Sequence, residues 1–120
     1  MLSRLEVEHV GSIAIARPRY DIDAANASRL HEQLSECLNA GPAEDLVLDL
    51  SSVRYVDSAG IDMLFRLAER LRRRRARMLV AIPAGSPLMR LAEIVGLPRA
   101  VEIHATVEGA LAACAAPARA

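Results

Sequence analysis

The segment Val56-Asp57-Ser58-Ala59-Gly60-Ile61 is the part of this 120-residue chain whose residue types and spacing bear most directly on chemistry. It opens the strongest helical stripe in the sequence, so Asp57 or Ser58 stands where a side chain must accept the first unpaired N–H groups of a helix, worth about 1 kcal/mol. A serine in that position also presents its hydroxyl to solvent. A phosphate on it would be tolerated, because the helix N-terminal N–H groups and the macrodipole favour negative charge. The small Ala59 and Gly60 leave the surrounding backbone open to close approach by another protein. A serine at a strand-to-helix turn also raises the possibility of a nucleophile elbow, but Val-Asp-Ser-Ala-Gly lacks the first glycine of G-x-S-x-G. His9 in the opening strand, His31 in the first helix and His104 beyond the last strand are poorly placed to serve as its base. The expectation is therefore a protein that is not an enzyme and has no catalytic residue. Cys37 and Cys114 are far apart, with no C-x-x-C and no histidine pair nearby, and read as free packing thiols. No metal site and no cofactor are expected.

The elements that would position Ser58 follow from periodicity. Leu5, Val7 and His9 alternate with Glu6, Glu8 and Val10, Gly11-Ser12 supplies a turn, and Ile13 to Ala16 resumes as a more buried run, so the chain opens with a β-hairpin ended by Pro18. A helix starting near Asn26 carries Ala27, Leu30, Leu34, Cys37 and Leu38 on one face and stops at Gly41-Pro42. Leu46 to Leu50 reads as a buried central strand. Ile61, Leu64, Phe65, Ala68 and Leu71 form the second helix, and Met78 to Ile82 the next strand. A third helix carries Leu88, Leu91, Ala92 and Val95, a short strand spans Val101 to Ile103, and a last helix carries Val107, Ala110, Leu111 and Cys114. The order ββαβαβαβα predicts an α/β fold: one domain over residues 1–115, a mixed, mostly parallel sheet with about four helices, and a frayed tail at 116–120. Functional groups in such sheets gather at the carboxyl ends of strands. Two loops qualify, Arg17 to Ala25 and Ser51 to Ala59.

Composition narrows the class of partner. All fifteen basic residues are arginine and are matched by fifteen acids, the chain is 52% hydrophobic, and its aromatics are Tyr20, Tyr55 and Phe65 alone. Zero net charge and few aromatics argue against a dedicated nucleic-acid binder. The scarcity of aromatics also leads us to expect a switch face without large anchors. An opening segment without an apolar core, and no apolar run long enough to span a bilayer, place the chain in the cytoplasm with no membrane insertion.

The hairpin, the alternation of strands and helices, and above all the Asp57-Ser58-Ala59-Gly60 motif heading the second helix resemble a STAS domain of the free-standing anti-sigma factor antagonist kind, over about residues 5 to 115. What the resemblance implies is a partner switch. The unphosphorylated protein binds an anti-sigma factor that is also a serine kinase, and so releases the sigma factor. The kinase phosphorylates the serine, here Ser58, which ends binding, and a serine phosphatase reverses the modification. The resemblance also supplies an acidic loop beside the acceptor, matched by Asp21, Ile22 and Asp23. Tyr20 stands where that loop usually has glycine, which bears on its backbone, since tyrosine adopts positive φ only at a cost. On this reading Asp21, Asp23, Asn26, Asp57, Ser58, Ala59 and Gly60 form the partner-binding set. The alternative within the same fold is a scaffold or accessory subunit, of a sensory assembly or a lipid transporter, without phospho-switching.

The switch has a physical logic of its own. Phosphorylation adds about 1.5 to 2 negative charges beside Asp57 and, if the two loops share one end of the sheet, beside Asp21 and Asp23. Weakening a complex a hundredfold takes about 2.7 kcal/mol, within the reach of like charges forced together at an interface. Arg70, Arg72, Arg73, Arg74, Arg75 and Arg77 close the second helix. They complement its macrodipole and form a local basic patch that could meet an acidic surface or a membrane face.

Overall fold

The structure is a computed structural model and describes residues 5–39 and 45–115. The expected helix stop at Gly41-Pro42 and the tail at 116–120 lie outside the described residues. Strands β1 (Leu5–Val10) and β2 (Ile13–Pro18) form the hairpin, with Gly11 at φ +59° in the first of its two turn positions. There follow α1 (Ala27–Asn39), β3 (Asp45–Asp49), α2 (Ser58–Arg73), β4 (Met78–Ala81), α3 (Pro87–Val95), β5 (Glu102–His104) and α4 (Val107–Ala115). The expected order therefore holds. One feature without a periodic signature was not anticipated, a 3-10 turn at Leu97–Arg99 after the left-handed Gly96 that caps α3.

The five strands lie in sequence order, β1 antiparallel to β2 and the rest parallel. Right-handed crossovers between strands laid down in that order put every connecting helix on the same face. Accordingly α1, α2 and α3 share one core with Ala14, Ala16, Leu46, Leu48, Met78 and Val80. α4 follows the last strand, is not a crossover, and packs on the other face against Ile15, Val47 and Leu79. Alternation along β3 thus feeds two cores, with Leu46 and Leu48 to one and Val47 to the other.

Asp49, at the end of β3, is 8% exposed. Its charge is matched by Arg17 on β2, with Nε 3.3 Å from Oδ2, while Oδ1 accepts the Ser51 N–H at 3.0 Å. Among the described residues, no helix is long and apolar enough to cross a membrane.

Candidate functional site at the carboxyl ends of β2 and β3

Because β2 and β3 are adjacent and parallel, the loops that leave them emerge side by side. They extend the sheet by one step beyond its named strands: Ile22 and Val56 form an isolated parallel bridge, the Ile22 N–H donating to the Tyr55 carbonyl and the Asp57 N–H to the Ile22 carbonyl, each at 3.0 Å. Both Ile22 and Val56 are buried.

Two side chains, Asp21 and Asp57, then tie the loops together, while Asn26 and Asp23 brace the first loop internally. Asp21 Oδ1 accepts the N–H groups of Arg54 and Tyr55 at 2.9 and 3.2 Å. Asp57 caps α2, with Oδ1 accepting the Gly60 N–H at 3.0 Å, and its second oxygen accepts the Ala24 N–H at 3.1 Å. Asn26 accepts the Asp23 N–H at 3.0 Å and donates to the Asp21 carbonyl at 2.8 Å, and Asp23 Oδ1 accepts from Ala25 at 2.9 Å. The cap is therefore Asp57, and Ser58 is the first helical residue. Ser58 is exposed, and its hydroxyl makes no hydrogen bond among the described residues. Gly60 is needed for packing: a Cβ there would lie 2.5 Å from Val56 Cγ1 and 2.8 Å from Ile22 Cγ2. Tyr20 fits its loop without positive φ, since among the described residues only Arg75 combines a side chain with that conformation, and its ring packs on the core.

All seven residues of the expected set thus meet at one end of the molecule. The acids do more local work than sequence suggests, because the carboxylates of Asp21, Asp23 and Asp57 each accept backbone N–H groups. The bonds from Asp21 to the backbone of 54 and 55 and from Asp57 to Ala24 have no sequence signal. The expectation of a face without large anchors is overturned. Tyr55, 57% exposed, and the half-buried Phe65 flank Ser58 and line a groove between α2 and α3 with Ile61, Leu91 and Val95. Their positions at the loop and at i, i+4 on α2 were the available signal.

The family profile described as the STAS domain matches residues 4–110. The chain belongs to the STAS domain family. A curated relative, the anti-sigma F factor antagonist of Paenibacillus polymyxa, is 23% identical over 101 residues, covering 84% of this chain and 86% of that one. An anti-sigma factor antagonist from Mycobacterium paratuberculosis has a similar crystal structure at TM-score 0.79 and 24% identity, with 91% of each chain covered. SpoIIAA, the Bacillus cell fate determinant, has been solved unphosphorylated and phosphorylated. The phosphorylated form superposes at TM-score 0.69 and 19% identity over 92% of this chain and 98% of that one. These likenesses establish the STAS fold.

The basic patch is less uniform than its sequence. Arg70 donates to Ser35 Oγ at 3.0 Å, Arg72 and Arg73 both engage Glu69, and Arg74 donates to Asn39 Oδ1 at 3.2 Å. Arg77 leaves the group altogether. It pairs with Glu102 at 2.6 Å and donates to the Ala113 carbonyl of α4 at 2.9 Å, holding Glu102 below the usual carboxylate range. The cysteines are free and half-buried, and burial pushes both thiols up, away from reactivity. Among the described residues no cluster of histidine, cysteine and carboxylate side chains could hold a metal ion.

Proposed function

We propose that this STAS domain is an anti-sigma factor antagonist that works by partner switching. The observation that carries the reading is the exposed Ser58 hydroxyl, free of hydrogen bonds among the described residues, at the first turn of α2 on a loop fixed by the carboxylates of Asp21 and Asp57. Relatives named anti-sigma factor antagonists, one of them solved with a phosphate in place, support it. The unphosphorylated chain binds an anti-sigma factor that is also a serine kinase and so frees the sigma factor. The kinase transfers the γ-phosphoryl group of ATP to Ser58 Oγ, ADP leaves, and the hydroxyl proton passes to the kinase. A serine phosphatase hydrolyses the phosphoserine and restores the binding form. Asp21, Asp23, Asn26, Asp57, Ala59 and Gly60 form the surface around the acceptor. The charge added at Ser58 ends binding.

The test is phosphotransfer together with binding. Incubation with a cognate anti-sigma kinase and radiolabelled ATP labels the wild type and not Ser58→Ala. In titration calorimetry Ser58→Ala keeps wild-type affinity, while Ser58→Asp loses about a hundredfold, equivalent to roughly 2.7 kcal/mol. Equal affinity of the two variants would refute the switch. An unlabelled wild type would point instead to a scaffold or transporter subunit of the same fold.

A further inference from the structure

A groove of about 570 Å³ runs beside α2, lined by Phe65, Arg66, Glu69, Arg70 and Arg73 of that helix and by His31 of α1. Arg66, Glu69, Arg70 and Arg73 recur at i, i+3, i+4 and i+7 and so share one face of the helix. Three guanidinium groups thus meet a single lining carboxylate, in a chain whose net charge is zero. The nearby acids are already engaged. Asp62 holds Arg66 at 2.9 Å, and Glu69 is shared, 2.6 Å from Arg72 but 3.5 Å from Arg73. Arg70 has no carboxylate partner among the described residues. It is half-buried and donates from Nη1 to Oγ of Ser35, a buried hydroxyl on α1, at 3.0 Å. That bond positions the guanidinium, leaves its charge unmatched and leaves most of its five N–H donors unused. His31 senses the surplus. Burial and then the positive charges of Arg70 and Arg66 lower its pKa from 6.5, against an opposing pull from Glu32.

We propose that this groove is a binding site for a phosphate group, held by Arg70 and Arg73 beside His31. The two arginines stand one turn apart, with Cβ atoms about 5 to 6 Å from each other, so their planar forks can take different oxygens of one phosphate or diphosphate. A single carboxylate would leave one fork unmatched. Arg73 gives up little in turning inward, because its contact with Glu69 is long and both side chains are exposed to water. The anion would offset the field of the arginines, and His31 would then take up a proton and add a third donor. Phosphorylated small molecules and anionic lipid headgroups present the same chemistry. The site does not rest on the function proposed above: Arg70 lies twelve residues beyond Ser58, roughly 18 Å along α2.

Inorganic pyrophosphate is the probe, and the imidazole resonances of His31, assigned with His31→Gln, are the readout. Pyrophosphate is expected to move the His31 titration upward in a saturable way, while potassium chloride at the same ionic strength does not. Arg70→Gln should weaken pyrophosphate at least about tenfold, the loss of one charge-assisted pair. Arg73→Gln, at an exposed position, carries the same test if Arg70→Gln fails to fold. Arg75→Gln, in the same run of arginines but outside the groove, should stay within about twofold of wild type. Cosedimentation with phosphatidylglycerol vesicles but not phosphatidylcholine vesicles, lost in the groove variants, would identify a lipid headgroup as the source. Pyrophosphate binding without vesicle binding would identify a soluble phosphorylated ligand. An unmoved His31 titration, an equal shift with potassium chloride, or an equal loss in Arg75→Gln would overturn the inference and leave only a diffuse basic surface.

Discussion

Asp57 serves two structures with one carboxylate. One oxygen caps α2 through Gly60 and the other holds the neighbouring loop through Ala24. Asp57→Ala is expected to cost about 2 kcal/mol in urea denaturation, the sum of a lost N-cap and a lost hydrogen bond to a charged group, whereas Ser58→Ala leaves the midpoint unchanged. His31 provides a separate readout. Burial, followed by the positive charges of Arg70 and Arg66, lowers its pKa from the ordinary 6.5, against an opposing pull from Glu32. The folded protein therefore binds the histidine proton less readily than the unfolded chain does. Stability from this source is complete above pH 6.5 and declines as pH falls through that value. His31→Gln should flatten the loss of Tm as pH falls below 6.5 relative to wild type.

At the scale of elements, the end of α2 shows what a helix does when glycine is absent. Ala76 donates to the Leu71 carbonyl and Arg75 to that of Arg72, at 2.9 Å each, the paired bonds of a Schellman cap, which places Arg75 at φ +60°. An arginine there is strained, so Arg75→Gly should raise stability by about 0.5 to 1 kcal/mol in denaturant melts. Gly60→Ala at the other end of α2 should have the opposite sign. The added methyl collides with Val56 and Ile22, and overpacking of this kind costs about 1 to 3 kcal/mol, with partial recovery in the Gly60→Ala/Val56→Ala double variant. These contrasts show what was legible in the sequence. Every regular element was visible, because Ile61, Leu64, Phe65, Ala68 and Leu71 or Leu46 to Leu50 repeat at the period of their secondary structure. The Ile22–Val56 bridge was not, since one pair of residues has no period, and the Asp21 and Asp57 contacts cross 33 residues of chain. Whether Asp57 or Ser58 caps α2 was likewise open, because both residue types cap helices well.

For the whole molecule, sequential strand order and right-handed crossovers leave the two faces of the sheet unequally covered. α1, α2 and α3 share one core, and α4 alone packs against β3, β4 and β5 on the other face, away from β1. The outer strand β1 is exposed along nearly its whole length, with Glu6 and Glu8 projecting beside Arg19 and Arg17. Charges on an edge strand discourage pairing with another sheet. Local opening should therefore be graded in native-state hydrogen exchange, with the β1 amides exchanging first and those of Val47 and Leu48 in β3 only on global unfolding. Uniform protection across β1 and β3 would contradict that gradient.

The bridge between Ile22 and Val56 has a consequence for the kinetics of recognition. It makes the Ser58 loop a continuation of β2 and β3, two interior strands of the sheet, so Ser58 follows a segment that is hydrogen-bonded into the sheet. A partner that docks there has little chain entropy to remove, and association should proceed at the rate of two rigid bodies finding their orientation. On the function proposed above, a phosphate at Ser58 alters a surface that is already formed at the first encounter, and the exchange of partners should need no refolding step.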